Sequence, residues 1–209
     1  MSETYFVGID LTSSTQKASA YARLNEELKV HLDLLHPDSD LLKAVEGDRP
    51  VLVAIDAPLG LPRGACCLEE SCSCQPLSKL RECEQELAKR RIPCFFTTKK
   101  SIIKKLVYRA IGLKKQLEAR GYEVIEIYPY ATKVCLWGRP IPSKLKPEGL
   151  QFLRRNLRAL LPGLSVIEEL NHDLCDALLA AYTAWLFYHG QAEAIGNPVE
   201  GQIVIPIVF

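Results

Sequence analysis

Two apolar runs that each close on an aspartate constrain this chain more than any other feature. The first, Tyr5 to Asp10, reads YFVGID, and the second, Pro50 to Asp56, reads PVLVAID. Short runs of this composition, bounded by turn residues, predict strands covered on both faces. In sheets flanked by helices, ligands collect outside the carboxyl ends of the strands. A buried strand that ends on a lone acid is costly unless the charge gains a partner. Asp10 therefore points to a metal, a phosphate contact or a capping role, and Asp56 joins it at one edge if the two strands are neighbours. The turn Thr12-Ser13-Ser14-Thr15 either shares in that chemistry or satisfies loose backbone groups.

The rest of the chain supplies the layers such a sheet needs. Strands near Ala18–Leu24 and Leu28–Leu35, separated by Asn25-Glu26, have the pattern of a hairpin. Asp38, Ser39 or Asp40 would cap a short helix over Leu41–Glu46 that Gly47 stops. Pro58 and Pro62 keep the stretch after Asp56 extended. Weak helical spacing covers Leu80–Arg91. A stronger pattern covers Ile102–Arg120, where Ile102, Leu106, Ala110, Leu113 and Leu117 mark one face and Gly121 the end. Glu123–Pro129 is a third short strand and carries Glu126. Pro147–Leu161 is an amphipathic helix with Arg154, Arg155 and Arg158 outward. The last helix starts at Asn171-His172-Asp173 and ends at Tyr188, and its alanines 177, 180, 181 and 184 allow close approach to a sheet. A final strand is expected over Ile203–Val208.

A chain of 209 residues, 48% hydrophobic and with a net charge of +1, fits one globular domain over 1–209, with residues 63–120 as an inserted Cys-rich and basic segment. The start lacks a secretory pattern and the longest apolar stretch, Ala177–Tyr188, is too short to span a bilayer, so a cytoplasmic protein without membrane contact is expected. Eight cysteines in such a chain suggest thiols, metal ligands or packed core rather than a disulfide framework. Cys66, Cys67, Cys72 and Cys74 could hold zinc or an iron–sulfur cluster, or serve as free thiols or a redox pair. Cys83 and Cys94 follow them, and Cys135 and Cys175 read as isolated, packed residues.

Charge is uneven. Between Lys79 and Arg120 thirteen Lys or Arg stand against four Glu, enough to steer a polyanion. Lys99, Lys100, Lys104, Lys105 and Arg109 are the candidate nucleic-acid contacts within it. Phe95 and Phe96 beside them could stack bases, although membership of the core is the reading favoured for both.

Asp173 and Asp176 stand three apart at the start of the last helix, on neighbouring positions of one surface. Asp173 also suits helix capping, whereas Asp176 lies further inside. Asp10, Asp56, Glu126 and Asp176, with Asp173, thus form a set of separated acids. Gathered in a cleft they would repel one another unless a cation intervened, and oxygen-only donors suit Mg or Mn. Such ions, singly or as a pair, support in-line displacement at phosphorus.

GIDLT at Gly8–Thr12, IDAPLGLP at Ile55–Pro62, LRECEQEL at Leu80–Leu87, EIYPYATK at Glu126–Lys133 and HDLCDAL at His172–Leu178 resemble the family known as domain of unknown function 429. The resemblance covers nearly the whole chain. It implies an α/β, ribonuclease H-like mixed sheet flanked by helices, and the activity of a metal-dependent nuclease. That pattern places acids on the first strand, at the end of the fourth and on the last helix, which match Asp10, Asp56 and Asp176. The Asp173-x-x-Asp176 spacing also looks like the helix acids of the Holliday-junction resolvase branch, with His172 one place from where that branch uses histidine. Glu126 has no counterpart in the pattern. Two other readings compete: an actin-like nucleotide-binding phosphotransferase, which Gly8–Lys17 resembles, and a non-catalytic metal- or redox-sensing module that binds nucleic acid.

Overall fold

The computed structural model of the chain describes residues 3–164 and 169–207. The described residues form seven strands and six helices: β1 Tyr5–Asp10, β2 Ser19–Asn25, β3 Val30–Leu35, α1 Asp38–Asp48, β4 Leu52–Ile55, α2 Glu82–Lys89, α3 Lys104–Glu118, β5 Val124–Ile127, α4 Pro129–Trp137, α5 Pro147–Leu160, α6 His172–Tyr188, β6 Ala192–Ile195 and β7 Ile203–Pro206. All seven strands share one sheet in the order β3-β2-β1-β4-β5-β7-β6. The hairpin strands β2 and β3 and the edge strand β6 run antiparallel to their neighbours, and β1, β4, β5 and β7 run parallel. The expected mixed sheet flanked by helices is therefore present.

Side-chain alternation divides the core between the two faces of the sheet. Val7, Ile9, Val53 and Ile55 pack with Leu41 and Val45 of α1 and with Ala110, Leu113 and Leu117 of α3. Phe6, Leu52 and Ala54 turn to the other face and meet Ala180 and Ala184 of α6. On that same face α5 contributes Leu153 and Leu157 beside Ala177 and Leu178. Much of the basic segment is therefore framework, because α3 covers one face of the sheet.

Gly8 explains how closely α6 sits on β1. A Cβ at this position would lie 2.2 Å from both the carbonyl oxygen of Ala177 and the amide nitrogen of Ala181. Those are backbone atoms and cannot rotate away. Gly8→Ala is expected to cost about 2–3 kcal/mol through overpacking, read as a lower urea midpoint. An unchanged midpoint would mean that α6 does not rest on β1 in this register.

Several boundaries differ from the sequence pattern. Gly47 lies inside α1, which instead ends at Arg49 with φ 49°; Pro50 disfavours helical backbone at the residue before it. None of Asp38, Ser39 or Asp40 caps that helix with its side chain, since Pro37 occupies the cap. Ile102 precedes α3 and is exposed rather than packed. Arg154 turns inward and donates to the carbonyl oxygen of Leu170 at 2.7 Å. The strand expected to reach Val208 is seen as β7, and residue 208 lies outside the described residues. Helix α4 and strand β6 were not anticipated. No helix among the described residues is long and apolar enough to cross a membrane.

Candidate active site

The carboxyl ends of β1 and β4 lie side by side. Ile9 pairs with Ile55 in parallel register, and the amide of Asp56 donates to the carbonyl oxygen of Ile9 at 2.8 Å. This places Asp10 and Asp56 at adjacent strand ends, on the face where α6 packs. Asparagine 171 caps α6, its side-chain oxygen accepting from the amide of Leu174 at 2.8 Å. That cap leaves Asp173 exposed in the first turn and sets Asp176, 6% exposed, against the sheet.

Asp10, Asp56 and Asp176 all line a cleft of about 600 Å³, with Lys133, Lys144 and Phe95 among its other walls. The acids do not form a knot as tight as that of the four cysteines, whose ligand atoms all lie within 4.8 Å of one another. Lys133, from α4, donates to Oδ1 of Asp176 at 2.6 Å with both side chains 8% exposed. Neither Lys133 nor Lys144 was singled out as a site residue from the sequence. Lys133 stands in EIYPYATK, and the signal that could have found it is Pro129 directly after a strand, a residue favoured at the first position of a helix. Lys144 lies on a Pro-bearing loop without a comparable signal.

Electrostatics mark the same spot. Burial, then the charges of Asp176 and Asp173, push the Asp10 carboxyl up to about 7. Burial, then Asp10 and Asp176, hold Asp56 well above the usual carboxylate range. Lys133 and Lys144 oppose both shifts. Proton linkage gives the sign: the folded chain retains protons that the unfolded chain releases near the ordinary value of 3.8, so stability falls as pH rises from there to about 7. Asp10 alone is expected to contribute about 4 kcal/mol of this loss. Melting in EDTA should therefore weaken between about pH 5 and pH 8, and Mg or Mn should restore more stability at the higher pH. Equal stabilisation at both pH values would show that no ion binds the titrating acids.

Glu126 is engaged differently. Its register partner is Ile55, so alternation directs it to the face opposite Asp10 and Asp56. There Arg81, 1% exposed, donates Nη1 and Nη2 to its two carboxylate oxygens at 2.7 Å each. The amide of Leu59 donates to it as well, at 2.7 Å. Glu84 completes the group, accepting from Arg81 Nε at 3.1 Å and from the amide of Thr97 at 2.9 Å. Both oxygens of Glu126 are thus engaged by protein donors. It nevertheless borders the same cleft as Asp10, Asp56 and Asp176, together with Arg81 and Glu84.

The basic candidates also separate. Arg109 is turned inward, its guanidinium paired with Asp38 at 2.6 Å and donating to the Thr12 carbonyl at 2.7 Å. Lys99 donates to the carbonyl oxygens of Cys72 and Cys74. Lys100 and Lys105 are exposed and Lys104 is half-buried. Phe95 and Phe96, expected in the core, are instead 62% and 40% exposed. His172 keeps its Nδ1 buried without a hydrogen-bond partner, and burial lowers its basicity.

Comparison with curated proteins finds no match. Among solved structures, one titled "Thermus thermophilus RuvC structure" aligns with a TM-score of 0.51 and 15% identity, covering 95% of this chain and 99% of that one. The likeness is one of fold: a ribonuclease H-like mixed sheet flanked by helices. The profile of the family described as "Protein of unknown function (DUF429)" matches residues 8–201, and the chain belongs to that family.

Proposed function

We propose that this chain is a metal-dependent nuclease that hydrolyses phosphodiester bonds of nucleic acid, with Asp10, Asp56 and Asp176 as the holders of Mg or Mn. The observation that carries the reading is negative charge short of a counterion: three carboxylates face one cleft, and Lys133 is bonded to only one of them. Carboxylate oxygens are the donors these ions prefer. The charge on Asp10 and Asp56 is opposed by burial and by each other, which is the condition a divalent cation relieves. When bound, it would polarise a phosphoryl oxygen and make a water more acidic. The RuvC-like fold suggests the same reaction class.

The chain's own residues divide the remaining work. Lys133 holds Asp176 in place, and Lys144 faces the acids from a loop where it can meet an incoming phosphate. Phe95 combines wide exposure with a place in the cleft lining, so an unpaired base can stack on it. Lys100 and Lys105 extend the positive surface nearby. The actin-like alternative loses support at its phosphate turn, where the Thr12 hydroxyl bonds the Ser14 carbonyl at 2.9 Å and accepts from Arg109 at 2.8 Å. The test is cleavage of branched, single-stranded and duplex DNA and RNA with Mg, Mn or EDTA. Ion-dependent products on at least one substrate are expected, and intact substrates across the panel would overturn the reading.

A further inference from the structure

The loop between Arg63 and Leu80 contains neither helix nor strand, and Leu68 is its single buried residue. A loop of this length inside a packed chain needs a fastening that its apolar side chains cannot supply. Its base is tied. The carboxylate of Glu200 accepts from the amides of Arg63 at 2.9 Å and Glu82 at 2.7 Å, and the amide of Leu77 donates to the Arg63 carbonyl at 2.8 Å. One side is tied through Tyr108, whose hydroxyl accepts from the amide of Leu68 at 2.6 Å and donates to Glu69 at 2.9 Å. The tip carries Cys66, Cys67, Cys72 and Cys74, with sulfur atoms all within 4.8 Å of one another.

We infer that these four cysteines bind one structural zinc ion, separate from the carboxylate cleft, which fastens the 63–80 loop. Zinc–sulfur bonds of about 2.3 Å in a tetrahedron set neighbouring sulfurs roughly 3.8 Å apart, and Cys66 and Cys72 stand at 3.5 Å. Sulfurs gathered this closely surround a single ion rather than a multi-iron cluster. Four thiolates suit zinc in a closed site, with no position left for substrate. Backbone chemistry supports the charge: the amide of Cys74 faces the sulfur of Cys72 at 3.5 Å. The ammonium of Lys99 is fixed against the carbonyls of Cys72 and Cys74, placing a positive charge beside a centre of net charge −2. Gly64, at φ 87°, makes the sharp entry, where a Cβ would lie 2.9 Å from the Gln75 carbonyl.

The test is metal content of the full chain purified without chelators. About one zinc per chain is expected, released by a thiol-modifying mercurial and read with a chromogenic chelator. Cobalt exchanged into the wild-type chain should give the intense thiolate-to-metal absorption of a tetrahedral site, a readout that needs no variant to fold. Cys72→Ser with Cys74→Ser should retain less than about a tenth of an equivalent, whereas Cys135→Ser and Asp10→Asn should keep the full amount. Absence of zinc and of the cobalt signal, a Cys66–Cys72 disulfide found by mass spectrometry, or zinc retained in the double variant would each overturn the assignment.

Discussion

Asp56→Asn is expected to slow ion-dependent cleavage by about a thousandfold or more while making the metal-free chain more stable at pH 8. The two outcomes have one cause. Asp56 is held well above the usual carboxylate range by burial and by Asp10 and Asp176, so its ionised form is a burden on the fold until a cation arrives. The amide keeps the shape and removes the charge. It also removes the donor that a divalent ion needs. Turnover on the best substrate and melting in EDTA measure the pair. A variant that melts lower and cuts at the wild-type rate would show Asp56 to be a structural acid.

The largest expected loss of stability comes from Arg81→Ala, at about 3–5 kcal/mol. Removing the guanidinium leaves Glu126 and Glu84, 4% and 1% exposed, without the cation that both bond. Breaking a buried ion group from one side is more damaging than replacing the whole group. Arg81→Met combined with Glu84→Gln and Glu126→Gln should therefore recover much of the loss, measured by urea denaturation as a non-additive cycle. Full additivity would show that the three side chains do not act as one unit. Because Glu126 also receives the amide of Leu59, Arg81→Ala should loosen the extended stretch just after Asp56 and lower cleavage along with stability.

What the sequence disclosed, and what it concealed, follows from how local each signal is. Asp10 and Asp56 were legible because each ends a short apolar strand, and the parallel pairing that joins them is the commonest use of such strands. Asp176 was legible from its depth in an alanine-rich helix. The fate of Glu126 was not, since its partner Arg81 lies far upstream and only register decides which face of the sheet an acid occupies. The inward turn of Arg109 was hidden for a related reason: a cation among cations reads as surface, yet Asp38 and the Thr12 turn enclose it. Phe95 and Phe96 misled in the opposite sense, because an aromatic pair in a globular chain is usually core. Strand β6 is four residues at an edge, paired with β7 alone, too short to carry a pattern of its own.

The contact of Gly8 with α6 has a temporal side. Asp10 leaves the ribosome before Asp176, so a nascent chain holds its first acids without the third. Only when α6 has settled on β1 is the set complete. Under the proposed function, a fragment that ends before α6 lacks the third acid and is expected to leave nucleic acid intact.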